Sequence, residues 1–278
     1  MKVIMNHELI MEVSLYVGCS VNCSYCPQFS LFKLSKKRKM GIDDYKILLD
    51  KIPCTTHIGF IGMSEPLLYK EFDKIIQYTL HKKHKMICFT TLPEKIQANA
   101  DIFLNKNLWY RRSVHIKDEN MLDKTITHQY LNNLEKYFDQ IDINDMSKQN
   151  SITILSDNID SQIENLISKY NLQEYVFRTQ PFKRIRAPIT YKTPVIPSKL
   201  SGKIYCSQGH DKIQHLLPDG DVVLCCMDVE KMHVLGNLFK NSYQDLYNSK
   251  EYKEIQQGYE DDRVKTICRS CIFAKNVI

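Results

Sequence analysis

Apolar and polar residues recur along the first two thirds of the chain in two periods, which predict helices and strands in turn. Phe72, Ile75, Ile76 and Leu80 share one face at the spacing of an amphipathic helix. Short apolar runs between such segments predict buried strands. The predicted strands are 13–17, 56–62, 85–91, 112–116, 152–155 and 175–179, and the predicted helices are 42–52, 72–80, 94–104, 119–138 and 159–170.

Strands that alternate with helices of this length indicate right-handed βαβ units and a parallel sheet. Because about six units are fewer than the eight of a closed barrel, the pattern favours an α/β fold with a partial, open parallel β/α barrel. Ligand-binding side chains lie at the carboxyl ends of the strands in such sheets. Motifs that directly follow a predicted strand are therefore the first candidates for a functional site.

The pattern changes at residues 181–202, where prolines and basic residues interrupt the alternation. This segment predicts a junction between a barrel domain, residues 1–180, and a smaller α+β domain, residues 203–278. Within the second domain, the run from Pro218 to Asp221 between apolar residues is typical of a hairpin turn. Residues 242–256 predict one helix before the end of the chain.

The composition, with 43% hydrophobic and 25% charged residues, is that of an ordinary globular protein. No apolar run approaches the roughly 20 residues that span a bilayer, and the first residues lack the apolar core of a secretory signal. We therefore expect a cytoplasmic protein with no membrane partner.

The net charge of +6 owes much to one basic segment that contains Lys33, Lys36, Lys37, Arg38 and Lys39. One interpretation is a lip that attracts an anionic substrate such as RNA. The other is a solvated loop, which is favoured because no RNA-binding motif accompanies the charges. Binding of nucleic acid is not excluded.

Ten cysteines in a reducing compartment predict metal ligands rather than disulfides. Most of them fall into two groups, which are Cys19, Cys23 and Cys26 after the first predicted strand, and Cys206, Cys225, Cys226, Cys268 and Cys271 in the C-terminal region. Cys54 and Cys88 stand alone in apolar stretches, so we interpret them as core packing residues.

Three thiolates on one short loop can hold a 4Fe-4S cluster and leave one iron without a protein ligand. A zinc knuckle is the alternative, but zinc normally takes a fourth Cys or His close by. His7 and His57 are the nearest histidines, and neither is placed as in a knuckle. The spacing therefore favours a cluster with one open coordination position.

The spacing Cys19-x3-Cys23-x2-Cys26, with the aromatic Tyr25 before the third cysteine, resembles the radical S-adenosylmethionine (SAM) superfamily. The resemblance implies that the three cysteines are catalytic and bind the cluster, and that Tyr25 contacts the cofactor. It also implies that SAM binds the fourth iron and is cleaved by an electron from the cluster to a 5'-deoxyadenosyl radical.

The segment Gly62-Met63-Ser64-Glu65-Pro66 follows the second predicted strand and resembles the Gly-Gly-Glu-Pro motif of the same superfamily. That motif binds the SAM amino group. The amino group can donate hydrogen bonds to strand-end backbone and to a carboxylate. Met63 and Ser64 stand where two glycines are common, so this chain departs from the motif there.

Three strand-end side chains are further candidates for contacts with SAM, by analogy with polar residues of the superfamily. They are Thr91, with Thr90 beside it, then His115, and Arg178 as a partner for the carboxylate. The alternatives are β-propensity for a threonine and a structural role for a lone histidine.

In the C-terminal group, neighbouring strand residues point to opposite faces, so only one of Cys225 and Cys226 should face a metal. The spacing Gly220-x4-Cys225 favours Cys225. With Cys206, Cys268 and Cys271 it resembles the twitch form of the SPASM extension of radical SAM enzymes. This resemblance implies a second, auxiliary 4Fe-4S cluster, and a structural zinc site is the alternative.

These motifs predict a radical SAM enzyme that abstracts hydrogen from a small polar substrate, in an oxidation or a rearrangement. The expected cofactors are two 4Fe-4S clusters and SAM, and the expected partner is an electron donor such as flavodoxin or ferredoxin. Modification of a peptide, protein or RNA is the alternative, followed by a non-catalytic iron-sulfur or zinc protein. The substrate itself has no motif in the sequence.

Overall fold

The computed structural model describes residues 9–23, 26, 28–94, 100–119, 121–141, 150–154, 156, 158–178, 199–207, 209, 212–271 and 273–277. Tyr25 lies outside these residues, and so does the predicted junction up to residue 198. The cofactor contact of Tyr25 and the boundaries of the two predicted domains therefore stay predictions.

Six strands of the first part form a parallel sheet, each paired with the next one along the chain. They are β1 (Ile10–Val13), β2 (His57–Phe60), β3 (Met86–Thr90), β4 (Arg111–His115), β5 (Asn150–Ile154) and β6 (Val176–Arg178). Five of them overlap the predicted strands closely, whereas the first prediction, 13–17, is wrong in its bounds, because β1 lies earlier and shares only Val13 with it. The open β/α arrangement predicted from the sequence is confirmed.

Helices lie between these strands, and all but the first contribute buried side chains to the main core, whereas the first buries Leu31 in a separate cluster with Val17 and Met63. The helices are α1 (Gln28–Leu34), α2 (Ile42–Leu49), α3 (Phe72–His81), α4 (Ala100–Leu104), α5 (His128–Phe138) and α6 (Ser161–Lys169). Phe60 of β2 packs edge-on against Phe72 of α3, with ring centroids 5.1 Å apart. Side chains alternate along a strand, so residues such as Glu12 and Ser14 point to the opposite face.

The predicted helix 119–138 is wrong in its first half, because α5 begins only at His128. Thr127 caps the helix, with its hydroxyl accepting a hydrogen bond of 3.2 Å from the Tyr130 N–H. Before the cap, the buried ammonium group of Lys117 binds Asp123 and the carbonyl of Thr125. These contacts hold the preceding residues in a loop.

The C-terminal part adds strands to the same sheet. Its elements are β7 (Ile204–Cys206), β8 (Ile213–Leu216), β9 (Asp221–Val223), β10 (Val234–Asn237), α7 (Tyr243–Asn248), α8 (Lys250–Glu260) and β11 (Ala274–Asn276). Strand β8 pairs in parallel with β1, and β9 and β10 follow it antiparallel. In the described chain the sheet thus has nine strands, in the order β10-β9-β8-β1-β2-β3-β4-β5-β6, while β7 and β11 pair separately.

Two smaller expectations need correction. The single helix predicted at 242–256 is divided into α7 and α8 at Ser249, whose hydroxyl accepts from the Tyr252 N–H and so starts a new helix. Cys88 is buried in the core as predicted, but Cys54 is exposed, in the turn before β2. Among the described residues, no helix combines the length and the apolar character that crossing a membrane requires.

Candidate functional site

A cavity opens at the carboxyl ends of the parallel strands. Residues from separate parts of the chain meet there, and the predicted ones among them are Cys19, Cys23, Cys26, Gly62, Met63, Ser64, Glu65, Thr91 and His115. Arg178 lies in β6, and its side chain is outside the described part of the structure. The strand-end motifs of the sequence are thus parts of one site.

The loop that carries the three cysteines is shaped by two left-handed residues, Gly18 with φ +99° and Asn22 with φ +48°. The Cys26 N–H donates to the carbonyl of Cys23 at 2.9 Å, and the side-chain amide of Gln28 donates to the carbonyl of Cys19 at 3.0 Å. The loop therefore turns over the start of α1 and brings all three cysteines to the cavity wall.

Burial, and then the nearby Glu65 carboxylate, raise the pKa of the Cys19 thiol to about 11. Hydrogen bonds from the backbone of Val21 and Glu65 and from the Tyr16 hydroxyl oppose this shift. Near neutral pH the thiol is protonated unless positive charge is supplied. Iron would supply that charge, so the three cysteines suit a cluster that leaves one iron open.

Glu65 is a fully buried carboxylate with two donors on each oxygen. Its Oε1 accepts from the Leu67 N–H at 3.1 Å and from the Thr90 hydroxyl at 2.5 Å. Its Oε2 accepts from the Thr91 N–H at 2.7 Å and from the Thr91 hydroxyl at 2.8 Å. Burial raises the pKa of the Glu65 carboxyl, and these hydrogen bonds partly oppose the shift.

The four donors fill the acceptor capacity of the Glu65 carboxylate. Its observed role is to tie the segment 62–65, which lines the cavity, to the end of β3. The sequence predicts two acceptors for a ligand ammonium group, the strand-end backbone and the Glu65 carboxylate. The carboxylate is already occupied by these donors, and the contact of the segment with SAM stays a prediction. Thr91 lines the cavity, and its hydroxyl proton is directed to Glu65.

A second, smaller cavity lies in the C-terminal part. The four cysteines chosen from the sequence all line it, and they are Cys206, Cys225, Cys268 and Cys271. Their neighbours are mostly apolar, such as Leu224, Met227 and Ile267. The Cys268 N–H donates to the Thr266 hydroxyl at 3.3 Å, which starts the short 3-10 helix Ile267–Ser270.

Burial raises the pKa of the Cys268 thiol to about 11 and raises the pKa values of Cys225 and Cys271 as well. Four thiols around an apolar cavity form a donor set that suits an iron-sulfur cluster. No group of three or more His, Cys, Asp or Glu side chains in the described residues is arranged to hold a single metal ion.

Cys225 and Cys226 line different cavities. Cys225 lines the second cavity, whereas Cys226 lines the first, beside the N-terminal cysteine loop. Our reason for expecting this was wrong, since β9 ends at Val223 and both cysteines lie in the turn that follows. The turn still directs the two thiols apart, and Cys225 as the ligand stays a prediction.

The sequence analysis missed several residues of the first cavity. Glu12 and Gln28 line it, and Ser14 and His215 lie beneath the segment 62–65. Glu12 and Ser14 had a signal, because they are polar residues at alternate positions of an apolar strand. His215 had none, because it joins the site only through the pairing of β8 with β1.

Comparison with protein families identifies the C-terminal part. Residues 206–272 match the model of the SPASM domain, an iron-sulfur cluster-binding domain. The match confirms the iron-sulfur domain predicted from the cysteine spacing. No protein with a curated description matches the sequence.

Solved structures share the fold over nearly the whole chain. The crystal structure of BtrN in complex with AdoMet and 2-DOIA has a TM-score of 0.59 and 18% identity, and covers 98% of this chain and 94% of its own. Native anSMEcpe with bound AdoMet has a TM-score of 0.55 and 14% identity, with coverages of 95% and 86%. SuiB from Streptococcus suis has a TM-score of 0.57 and 11% identity, with coverages of 95% and 70%.

At these identities the likeness to the solved structures concerns the fold. The Cys19-x3-Cys23-x2-Cys26 loop at the mouth of the open barrel and the SPASM match add to it independently. The resemblance predicted from the sequence is confirmed to this extent: residues 206–272 match the SPASM domain, and the chain shares the fold of BtrN, anSMEcpe and SuiB.

Proposed function

We propose that the protein is a radical SAM enzyme in which Cys19, Cys23 and Cys26 hold a 4Fe-4S cluster and SAM binds beside it. The observation that carries the proposal is the single cavity that joins the cysteine loop to the segment 62–65. With both bound, the cluster and SAM supply a 5'-deoxyadenosyl radical. The chain's own task is to position SAM and the substrate and to keep water away from them.

Different residues would bind SAM and the auxiliary cluster. Gly62, Met63 and Ser64 line the cavity next to the buried Glu65, so their backbone carbonyls would suit the SAM amino group. His115 and Thr91 lie at the ends of neighbouring strands and suit further contacts with SAM. Cys206, Cys225, Cys268 and Cys271 would hold the auxiliary cluster in the second cavity.

A small polar substrate is favoured by the composition of the first cavity. Its described lining residues include Glu12, Ser113 and Thr153, and no Lys or Arg. Such a wall suits a polyol or an amine better than a phosphate. The reaction would remove a hydrogen atom from a C–H bond of this molecule, in an oxidation or a rearrangement.

Modification of a peptide is the second candidate. It is supported by two structures with this fold that contain a peptide, anSMEcpe with AdoMet and the Cp18Cys peptide, and SuiB with the precursor peptide SuiA. An electron donor such as flavodoxin or ferredoxin is proposed as a partner in either case, since SAM cleavage consumes an electron.

The test is anaerobic reconstitution with iron and sulfide, followed by SAM and a strong reductant. We expect the wild-type protein to form 5'-deoxyadenosine and the triple variant C19A/C23A/C26A to form none. Cys54→Ala is the matched control, because Cys54 is exposed and outside both cavities. Failure of the wild-type protein to form 5'-deoxyadenosine would overturn the proposal.

Deuterated candidate substrates then identify the substrate class. Transfer of deuterium into 5'-deoxyadenosine from a polyol or an amine supports the first candidate. Transfer from a peptide alone supports the second, and transfer from RNA contradicts both.

A further inference from the structure

A buried chain of polar groups connects the C-terminal part to the segment 62–65. Glu12 of β1 and His215 of β8 are direct neighbours in the sheet, and Glu12 Oε2 lies 3.3 Å from His215 Nδ1. On the other side of the ring, His215 Nε2 lies 2.7 Å from the hydroxyl of Ser14. The same hydroxyl accepts a hydrogen bond of 3.2 Å from the Met63 N–H.

The contacts place the imidazole ring between a carboxylate and a hydroxyl. His215 Nδ1 lies near Glu12 Oε2 without the geometry of a hydrogen bond, whereas Nε2 lies within hydrogen-bond distance of the Ser14 hydroxyl. The Ser14 oxygen accepts from Met63 and also contacts His215 Nε2, which makes it the link between the ring and the backbone of the segment. The three side chains that form the chain are at least nine-tenths buried, with exposed fractions of 6% for Glu12, 0% for Ser14 and 1% for His215.

The histidine ring also shapes the segment sterically. Gly62 has φ +110°, a conformation that favours glycine, and its Cα lies directly against the ring. A Cβ at Gly62 would lie 2.3 Å from His215 Cε1 and 3.2 Å from the Ser14 hydroxyl. The ring thus supports the glycine from below, while Ser14 holds the next N–H.

We propose that His215 and Ser14 are positioning residues for SAM, which act by fixing the backbone of Gly62, Met63 and Ser64. The inference rests on the proposed function, because that backbone is the part assigned to the SAM amino group. His215 lies within residues 206–272, which match the SPASM domain. The C-terminal part therefore helps to build the SAM site, in addition to holding its own cysteines.

The experiment measures SAM affinity in the reconstituted protein, from the change that SAM causes in the electron paramagnetic resonance spectrum of the reduced cluster. We expect Ser14→Ala to raise the dissociation constant about tenfold, as loss of one buried hydrogen bond does. His215→Leu, which removes both nitrogens, should raise it at least about tenfold. Iron content and turnover at saturating SAM should stay near wild-type values.

The double variant gives a readout that a general loss of stability would not. Because Ser14 and His215 act in series, the dissociation constant of SAM for S14A/H215L should be no higher than that of the single variant that binds SAM less tightly. Independent effects would multiply and raise the dissociation constant about a hundredfold. Thr79→Val is the matched control. It removes a buried hydroxyl that bonds Tyr45 on the helix-covered face, and it should leave SAM affinity unchanged.

The outcomes separate the two proposals. If the wild-type protein does not bind SAM, the proposed function fails. If it binds SAM and Ser14→Ala binds equally well, the positioning role is wrong while the proposed function stands. If His215→Leu loses iron, Ser14→Ala, the smaller change, decides the question alone.

Discussion

The two cysteine cavities differ in ligand number and in the character of their walls. The first presents three cysteines of one loop to the larger space, with several polar residues around them. The second presents four cysteines, drawn from distant parts of the C-terminal region, to a smaller space with mostly apolar walls. Three cysteines beside a larger, more polar space would leave a place for another molecule, whereas four would complete the coordination of a cluster.

Burial of the thiols does not distinguish the two sites. It raises the pKa of Cys19 and of Cys268 to about 11 alike. What differs among the described residues is the neighbouring backbone, since the first cavity has the segment 62–65, held by Glu65 and by the Ser14 hydroxyl. If the proposed function is right, the first site exchanges a ligand and the second is permanently occupied.

The largest expected effect comes from the first cavity. Cys23→Ala should reduce 5'-deoxyadenosine formation at least about a thousandfold, since a cluster lost from the site removes the cofactor chemistry entirely. Iron should fall from about eight atoms per chain to about four. Cys226→Ala, which changes another cysteine of the same cavity, should keep both the iron and the activity. Loss of iron in Cys226→Ala would contradict the division between the cavities.

The second cavity should respond differently. Cys268→Ala should also lower iron to about four atoms per chain, but SAM cleavage should stay within about tenfold of the wild-type rate, because the first cavity keeps its ligands. Metal analysis and 5'-deoxyadenosine assays check both parts, with Cys54→Ala as the control. Loss of one zinc instead of iron would show that the auxiliary cluster is wrong.

Local patterns were enough to predict the strands, the open sheet and both groups of cysteines. Each of these depends on residues that are close in sequence or that repeat with one period. The false start of α5 arose because apolar residues before Thr127 continue the helical spacing, while capping and the contacts of Lys117 decide the boundary. Propensity alone does not contain those contacts.

The link from His215 to Met63 was beyond the sequence for another reason. It requires β8 to pair with β1, across about two hundred residues, in the register that sets His215 beside Glu12. Nothing in the sequence near His215 specifies that register. The separation of Cys225 from Cys226 was predicted from strand alternation, yet it arises in a turn, so the outcome agreed while the reasoning did not.

A smaller effect is expected from Glu65→Gln, which tests the rigidity of the first cavity. Each Glu65 oxygen accepts from two donors, so an amide nitrogen at either position faces two donors that it cannot satisfy. The free energy of unfolding should fall by about 3 kcal/mol, and SAM affinity should fall with it. Urea denaturation checks the first result, with the exposed Glu164→Gln as the control. Unchanged stability would show that the four hydrogen bonds do not hold the segment.

The smallest effect belongs to the hairpin that leads to the second cavity, where the ammonium group of Lys231 contacts Asp219 at 3.0 Å and Asp221 at 2.6 Å. Burial alone would raise the pKa of Asp221, but hydrogen bonds from Lys231 and Asn237 bring it below the usual 3.8. Burial alone would lower the pKa of Lys231, but its hydrogen bonds to the two carboxylates bring it above the usual 10.5.

The signs of these two shifts set the pH window. A carboxyl with a lowered pKa stabilises the fold above pH 3.8 and loses this effect as the pH falls further, whereas an amine with a raised pKa stabilises it below pH 10.5 and loses this effect above. Lys231→Met should therefore cost about 1 kcal/mol at pH 7 and less at pH 3 and pH 11. Urea denaturation at the three pH values measures the difference, with exposed Lys240→Met as the control. If Lys231→Met lowers the free energy of unfolding equally at all three pH values, the contribution of Lys231 comes from the packing of its aliphatic stem. The hairpin would then be stabilised by apolar contacts, as the walls of the second cavity are, and not by the ion pairs.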